Sequence, residues 1–314
     1  MKNNSKLALV SLVISTKNEE HNIRRCLDSL KLQTYGNIEI IVVDNNSSDQ
    51  TKEIAKQYTK KVFNKGPERS AQRNFGMLNK ASGNFVMYID ADMFLSENLV
   101  ETCVKHIDLY GCDALYVPER VIGCSFLSKV RDFERSFYDG TVVDGARFFK
   151  ASSFKKIGGF DEKLFVNGSG EDWDIDKKIK VFGKIGILDK SLQKPSSLDW
   201  PFWYFLADNC MVVDASFCGI YHNELNFQLS SYFKKKLYYA RGFEGYIKKW
   251  GKDDVDIVKQ FSFYYRFFGV FLEQKKWKKI IGNPTLTLGM LFLRFVVGIS
   301  FLVNKIFIKF GFYK

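Results

Sequence analysis

The sequence predicts an α/β protein built on a largely parallel sheet wound with helices on both faces, and three observations carry that expectation. Apolar, strand-like runs alternate with helix-like stretches over the first 95 residues. Three of those runs end in polar clusters: Ser15-Thr16-Lys17-Asn18-Glu19, Asp44-Asn45-Asn46-Ser47-Ser48-Asp49 and Asp90-Ala91-Asp92. A 46% hydrophobic composition over 314 residues supplies a sizeable core and excludes a disordered chain.

Taken in order, Leu9 to Ser15 reads as a short buried strand, and Glu19 to Leu32 sets Ile23, Leu27 and Leu30 at helical spacing. Ile38 to Val43 is a β-branched strand, Asp49 to Tyr58 a helix and Phe85 to Ile89 a further strand. From about Asn98 to Phe182 helix and strand signals mix with several glycines, and no detailed assignment follows. After Tyr221 the stretches Ser230 to Tyr246 and Val255 to Phe271 are dense in aromatics and lysines at helical spacing, as in helices that lie on a membrane or cover a binding site. Thr285 to Val303 is apolar on all sides except for Arg294. Twelve Leu, Ile, Val and Phe favour insertion by roughly 0.3–0.6 kcal/mol each, and one central Arg opposes it by roughly 2.5–3.5 kcal/mol. A membrane helix and a buried helix with Arg294 at its edge therefore both stay open. The expected organisation is a sheet-bearing unit over 1–225 whose halves meet near residue 95, amphipathic helices over 226–282 and an apolar helix over 283–314.

The net charge of +12 suits nucleic acid, an anionic membrane or a phosphorylated ligand. Its basic residues gather late, at Lys234 to Lys236, Lys248, Lys249, Lys252, Lys275, Lys276, Lys278 and Lys279, interleaved with aromatics. That mixture suits a lipid headgroup layer, and the apolar segment that follows favours a membrane over single-stranded nucleic acid. The six cysteines show no C-x-x-C pairing and read as reduced core residues of a cytosolic chain. Lys2 and Lys6 before Leu7 to Ile14 imitate a signal peptide, but the run passes into STKNEE with no small-residue cleavage site, so a first strand is expected.

In wound parallel sheets ligands sit beyond the carboxyl ends of the strands. Asp44 there is an acceptor for N–H and O–H groups, and Asp90-Ala91-Asp92 offers hard oxygens to a divalent cation beside a diphosphate. Arg69 and Arg73 lie four apart, so they share a face if Ser70 to Leu78 is helical, and a guanidinium's planar fork suits phosphate. Each of these has a plainer alternative as a turn, cap or solvated residue; Ser169, Glu171 and Asp172 likewise suit a helix start.

The segments IEIIVVDNNSSDQT, GPERSAQRNFG, YIDADM and GSGEDWDIDKKI together resemble glycosyltransferase family 2, over roughly Leu9 to Tyr246. The resemblance implies a GT-A fold and inverting transfer from a nucleotide-diphospho-sugar. It places Ser15, Thr16, Asn18, Glu19, Asp44, Asn46, Ser47, Arg69, Arg73, Asn74, Asp90, Ala91, Asp92 and Arg147 at the donor. It also implies Mg²⁺ or Mn²⁺ on Asp92, with His222 of GIYHNE as a further ligand, and Asp172 as the base that deprotonates the acceptor with Glu171 beside it. One departure matters: no Gln-x-x-Arg-Trp motif is present, the region near Gln193 reading QKPSSLDW, which implies single addition rather than a processive polymerase.

The function implied is transfer of one hexose or N-acetylhexosamine from a UDP- or GDP-sugar to a lipid-linked or cell-surface glycan, at the cytoplasmic face of an anionic membrane and with no nucleic acid partner. A polyprenyl-phosphate sugar synthase and a non-catalytic glycan-binding relative are the alternatives. A nucleotidyltransferase is disfavoured because STKNEE lacks the glycine-rich loop such enzymes use.

Overall fold

A computed structural model describes residues 7–165, 170–197, 199–211, 214–240 and 242–309. The expectations placed on Lys2, Lys6, Ser169 and residues 310–314 lie outside the described residues. Strand β1 (Val10–Thr16) is buried along its whole length, as expected of a strand covered on both faces. It pairs in parallel with β2 (Ile38–Asp44), which carries the short β3 (Val62–Asn64) on its far side, and with β4 (Phe85–Asp90). Side chains along these strands alternate between two cores. Leu12, Ile14, Val42, Met87 and Ile89 face one way, while Val13, Ile41, Val43, Val86 and Tyr88 face the other.

After β4 come β5 (Met93–Leu95), β6 (Ala114–Tyr116), β7 (Glu119–Ile122), β8 (Ala146–Lys150), β9 (Ile185–Ile187) and β10 (Ile220–Asn223). The main sheet runs β3-β2-β1-β4-β8-β6-β9, with β8 antiparallel to both neighbours. A second sheet, β5-β10-β7, stands beside it. Register sets Ser15 beside both Val43 and Asp90, and Thr16 beside Asp44, so the polar ends of β1, β2 and β4 are level.

The helices of the first half are α1 (Ile23–Lys31), α2 (Thr51–Lys56), α3 (Arg69–Asn74) and α4 (Leu99–Tyr110). Helix α1 buries Ile23, Cys26, Leu27 and Leu30, the stripe its spacing predicts. The middle that resisted assignment holds α5 (Phe126–Arg135), α6 (Ala151–Lys156), α7 (Glu171–Lys180) and α8 (Phe202–Asp208). The cysteines depart from expectation: Cys124 and Cys210, 86 residues apart, form a disulfide, while Cys26, Cys103, Cys112 and Cys218 are buried outside it. Only tertiary folding brings their Cα atoms to 5.1 Å, within bridging distance.

Beyond β10 lie α9 (Leu229–Ala240), α10 (Phe243–Trp250), α11 (Val255–Phe261), α12 (Val270–Leu272), α13 (Trp277–Gly282) and α14 (Pro284–Lys309). Part of their aromatic surface packs inward, while Phe263, Tyr264, Phe268 and Trp277 stay exposed. Trp173 of α7 stacks on Phe243 at 5.2 Å, and Phe271 meets Phe137 edge-on at 4.9 Å. Among the described residues no helix is long and apolar enough to cross a membrane. Helix α14 lies on α5, where a Cβ at Gly289 would come 2.5 Å from Val130. Arg294, expected at a helix edge, is buried and donates to Glu134 at 3.3 Å and Tyr138 at 3.1 Å. Pairing with Glu134 removes the charge penalty that the sequence alone assigned to Arg294. The outward side of α14 still exposes Leu288, Phe292, Phe295 and Ile299.

Candidate functional site

A crevice of about 680 Å³ is lined by the polar ends of β1 and β4 on one side and by the starts of α7 and α9 on another. Ser15, Thr16, Glu19, Arg69, Arg73, Asp90, Ala91, Asp92, Arg147, Glu171, Asp172 and His222 all line it. Asp90 closes β4 opposite Ser15, whose hydroxyl donates to it at 3.2 Å. The turn through Ala91 then delivers Asp92. Antiparallel pairing of β5 with β10 sets His222 across from Met93, and His222 Nε2 comes to lie 3.1 Å from Asp92 Oδ2. The other oxygen, Oδ1, is buried with no hydrogen-bond partner among the described residues.

His222 Nδ1 lies 3.2 Å from Glu119 at the start of β7, and Glu119 also meets Arg147 at 3.2 Å and Arg135 at 3.4 Å. Burial alone would lower the His222 pKa, but Asp92 and Glu119 raise it well above the usual imidazole value. Burial likewise opposes ionisation of Asp90, yet Arg73, Arg147 and Arg69 hold its carboxyl well below the ordinary carboxylate range. Among the described residues, no group of three or more His, Cys, Asp and Glu side chains is arranged to hold a metal ion. The buried Oδ1 of Asp92 suits a hard cation, and His222 could join it as a ligand only by giving up the proton that its pairing with Asp92 and Glu119 retains, since metal binding and protonation compete for the same imidazole lone pair.

Arg73 ties the two sides together. Only 1% exposed, it stacks over the Tyr88 ring at 4.1 Å. It donates to Asp90 at 2.9 Å and to Asp172 at 3.2 Å, with Glu171 at 3.9 Å. Arg69, one helical turn earlier, shares that face and pairs with Glu171 at 3.0 Å. Glu171 and Asp172 open α7 after Gly170, whose φ of 83° favours glycine. Burial and the neighbouring Asp172 raise the Glu171 carboxyl above its ordinary value, against the pull of Arg69 and Arg73.

Asp172 Oδ1 also receives the Tyr88 hydroxyl at 2.8 Å. Its side chain is 35% exposed, and among the described residues Oδ2 has no donor. Gly145 makes room for it, since a Cβ there would stand 2.7 Å from the Asp172 Cβ.

Five residues expected at the donor do not line the crevice. Asp44 is fully buried, and both its oxygens accept from Ser47, through the backbone N–H at 2.7 Å and through the hydroxyl. Asn18 accepts from the Ser48 N–H at 2.9 Å and donates its own N–H to Ser47. Asn18 and Asn46 both adopt left-handed backbone, at φ 54° and 51°, which asparagine tolerates. These residues lock the first two strand-end loops to each other. Asn74, one position past Arg73, turns away to bond Phe160 and Glu162. Sequence reading passed over Tyr88 and Glu119, which look like ordinary strand residues, and over Arg131, and it took Lys235 and Lys236 only as part of a basic cluster; Glu119, Arg131, Lys235 and Lys236 line the crevice.

Residues 11–157 match the family model for glycosyl transferase family 2. The glycosyltransferase GlyA of Streptococcus pneumoniae is 30% identical over 207 residues, which is 58% of this chain and 30% of GlyA. The chain covers only 30–36% of the length of the curated relatives that head the matches. Among solved structures, the mannosyltransferase PcManGT from Pyrobaculum calidifontis, in complex with GDP-Man and Mn²⁺, superposes with a TM-score of 0.55 at 16% identity. That match covers 99% of this chain and 82% of PcManGT. Staphylococcus aureus TarS gives 0.51 at 17% identity, over 94% of this chain and 54% of TarS. At such identities these two matches establish a shared fold.

Proposed function

The chain belongs to glycosyl transferase family 2, and on that premise we propose that it transfers one hexose or N-acetylhexosamine, with inversion, from a UDP- or GDP-sugar to an acceptor hydroxyl. The observation that carries the proposal is Arg73 donating at once to Asp90 and to Asp172, which sets donor rim and base on one crevice.

Asp172 is the base. Tyr88 and Arg73 hold its Oδ1, leaving Oδ2 to accept the acceptor's hydroxyl proton as that oxygen attacks the anomeric carbon and the nucleoside diphosphate leaves. Glu171, buried between two arginines, positions those arginines rather than moving a proton. Asp92 and His222 would hold Mg²⁺ or Mn²⁺, a Lewis acid that neutralises charge developing on the departing diphosphate. Arg147 and Arg69 add fixed positive charge beside it. PcManGT, with GDP-Man and Mn²⁺, supports this choice of donor and metal.

For the acceptor we favour a lipid-linked or cell-surface glycan, in cell-envelope polysaccharide synthesis on the cytoplasmic side of a membrane. The outward apolar residues of α14 and the lysines around α13 support it. So does TarS, described as a poly(ribitol-phosphate) β-N-acetylglucosaminyltransferase and 30% identical over 118 residues.

The test is nucleoside diphosphate release by purified protein with Mn²⁺ and a panel of UDP- and GDP-sugars. At least one donor should turn over, and Asp92→Ala should abolish the turnover. Inertness towards every donor, or full turnover in Asp92→Ala, would refute the proposal.

A further inference from the structure

The wall of the crevice contributed by α5 and α9 carries more positive charge than the protein neutralises. Among the described residues, two carboxylates pair with the cations there, Glu134 and Glu224. Against them are set Arg131, at 2.7 Å from Glu134 and 3.5 Å from Glu224, and Arg294, at 3.3 Å from Glu134, together with Arg266, Lys235 and Lys236.

Lys236 is the informative member. Its ammonium lies 5.2 Å from the centre of the Tyr232 ring, and Arg131 covers the same ring at 5.0 Å. Among the described residues it makes no hydrogen bond or ion pair. Arg131 Nε is likewise buried with no hydrogen-bond partner among the described residues. Burial, and then the neighbouring Arg131, push the Lys236 pKa down to about 7. A half-buried cation held among cations is costly to the fold unless a ligand offsets it. Lys235, Lys236 and Arg131 all face the crevice.

We propose that Arg131, Lys235 and Lys236 form a subsite for a phosphate group, on the part of the crevice lined by α5 and α9 and made of residues other than the Asp92–His222 pair. Phosphate fits because its several oxygens can accept from the Arg131 fork and two ammonium groups together. The inference rests on the transferase reading, which supplies two sources of such a group: the donor's diphosphate, or a phosphate carried by the acceptor.

The direct probe is inorganic pyrophosphate, titrated calorimetrically into the full chain with EDTA present so that no metal at Asp92 contributes. Lys236→Met should weaken binding about tenfold or more, and Lys236→Arg should restore most of it. The melting temperature of Lys236→Met should equal or exceed that of the parent, since an unpaired cation is removed, so weaker binding would not reflect misfolding. Two further comparisons identify the source. If the phosphate is the donor's, Lys236→Met shrinks the affinity gap between nucleoside diphosphate and monophosphate. If it is the acceptor's, that gap persists and kcat/KM falls for a phosphate-bearing acceptor. Unchanged pyrophosphate affinity in Lys236→Met would overturn the proposal. Because this titration needs no turnover, it reads the subsite even if no donor sugar is transferred.

Discussion

The two walls of the crevice handle charge in opposite ways. On the strand-end wall nearly every charge has a partner: Arg73 serves Asp90 and Asp172, Arg69 serves Glu171, and Glu119 meets His222, Arg135 and Arg147. On the α5–α9 wall, among the described residues, five cations face two carboxylates, and Lys236 rests over the Tyr232 ring without an ion pair. A neutralised network is rigid before any ligand arrives, so it can orient reacting groups. An uncompensated patch gains stability only when an anion binds. The difference teaches that substitutions in the paired network should damage the fold and the chemistry, whereas removing the unpaired Lys236 charge should damage binding alone.

The largest effect should come from Arg73→Met. It strands Asp90, Glu171 and Asp172 without their shared cation, at a cost of about 3–5 kcal/mol in stability, measurable by denaturant unfolding. Lys236→Met should cost nothing by the same measurement. Equal losses in the two variants would erase the contrast between the walls.

Next comes Asp172→Asn, which keeps the shape but cannot take the acceptor's proton. Turnover should fall about 10²-fold or more with donor affinity retained; near-normal kcat would instead favour an acceptor that needs no base, such as a polyprenyl phosphate. A smaller loss is expected for Tyr88→Phe, which deletes one hydrogen bond to the Asp172 carboxylate. Its kcat should drop roughly tenfold, with KM for the donor unmoved.

The subtlest test is pH. In the folded state Lys236 titrates near 7, below the 10.5 of an exposed lysine. Between those values the unfolded chain binds the extra proton, so this group's contribution makes stability rise with pH across that window and stay flat below it. Pyrophosphate binding should fall over the same window, because the ammonium is the binding form. Lys236→Met should flatten both trends relative to the parent.

Legibility in the sequence divides between the same two walls. Asp90, Asp92, Glu171 and Asp172 stand in contiguous motifs at element ends, where local spacing already says what faces the rim. Arg69 and Arg73 were legible because a helix places residues four apart on one face. Asn74 lies off that face for the complementary reason: one step along the helix rotates a side chain by about 100°, and it bonds Phe160. Asp44 carries the right motif yet folds back onto its own turn, a choice made by Ser47. Glu119 and Tyr88 gave no signal, because their roles depend on partners 103 and 84 residues away. The Cys124–Cys210 bridge and the Arg294–Glu134 pair were hidden in the same way, by separations of 86 and 160 residues. The α5–α9 wall is assembled wholly from such distant pieces, so its lysines read only as general basicity.

The most direct measurement of the central claim, that Asp92 anchors a metal-bound donor in the crevice shared with Asp172, is Mn²⁺ uptake followed by electron paramagnetic resonance with and without UDP or GDP. Nucleotide-dependent uptake should be present in the parent and in Asp172→Asn and absent in Asp92→Ala. Uptake that survives Asp92→Ala undiminished, or that never depends on nucleotide, would contradict it.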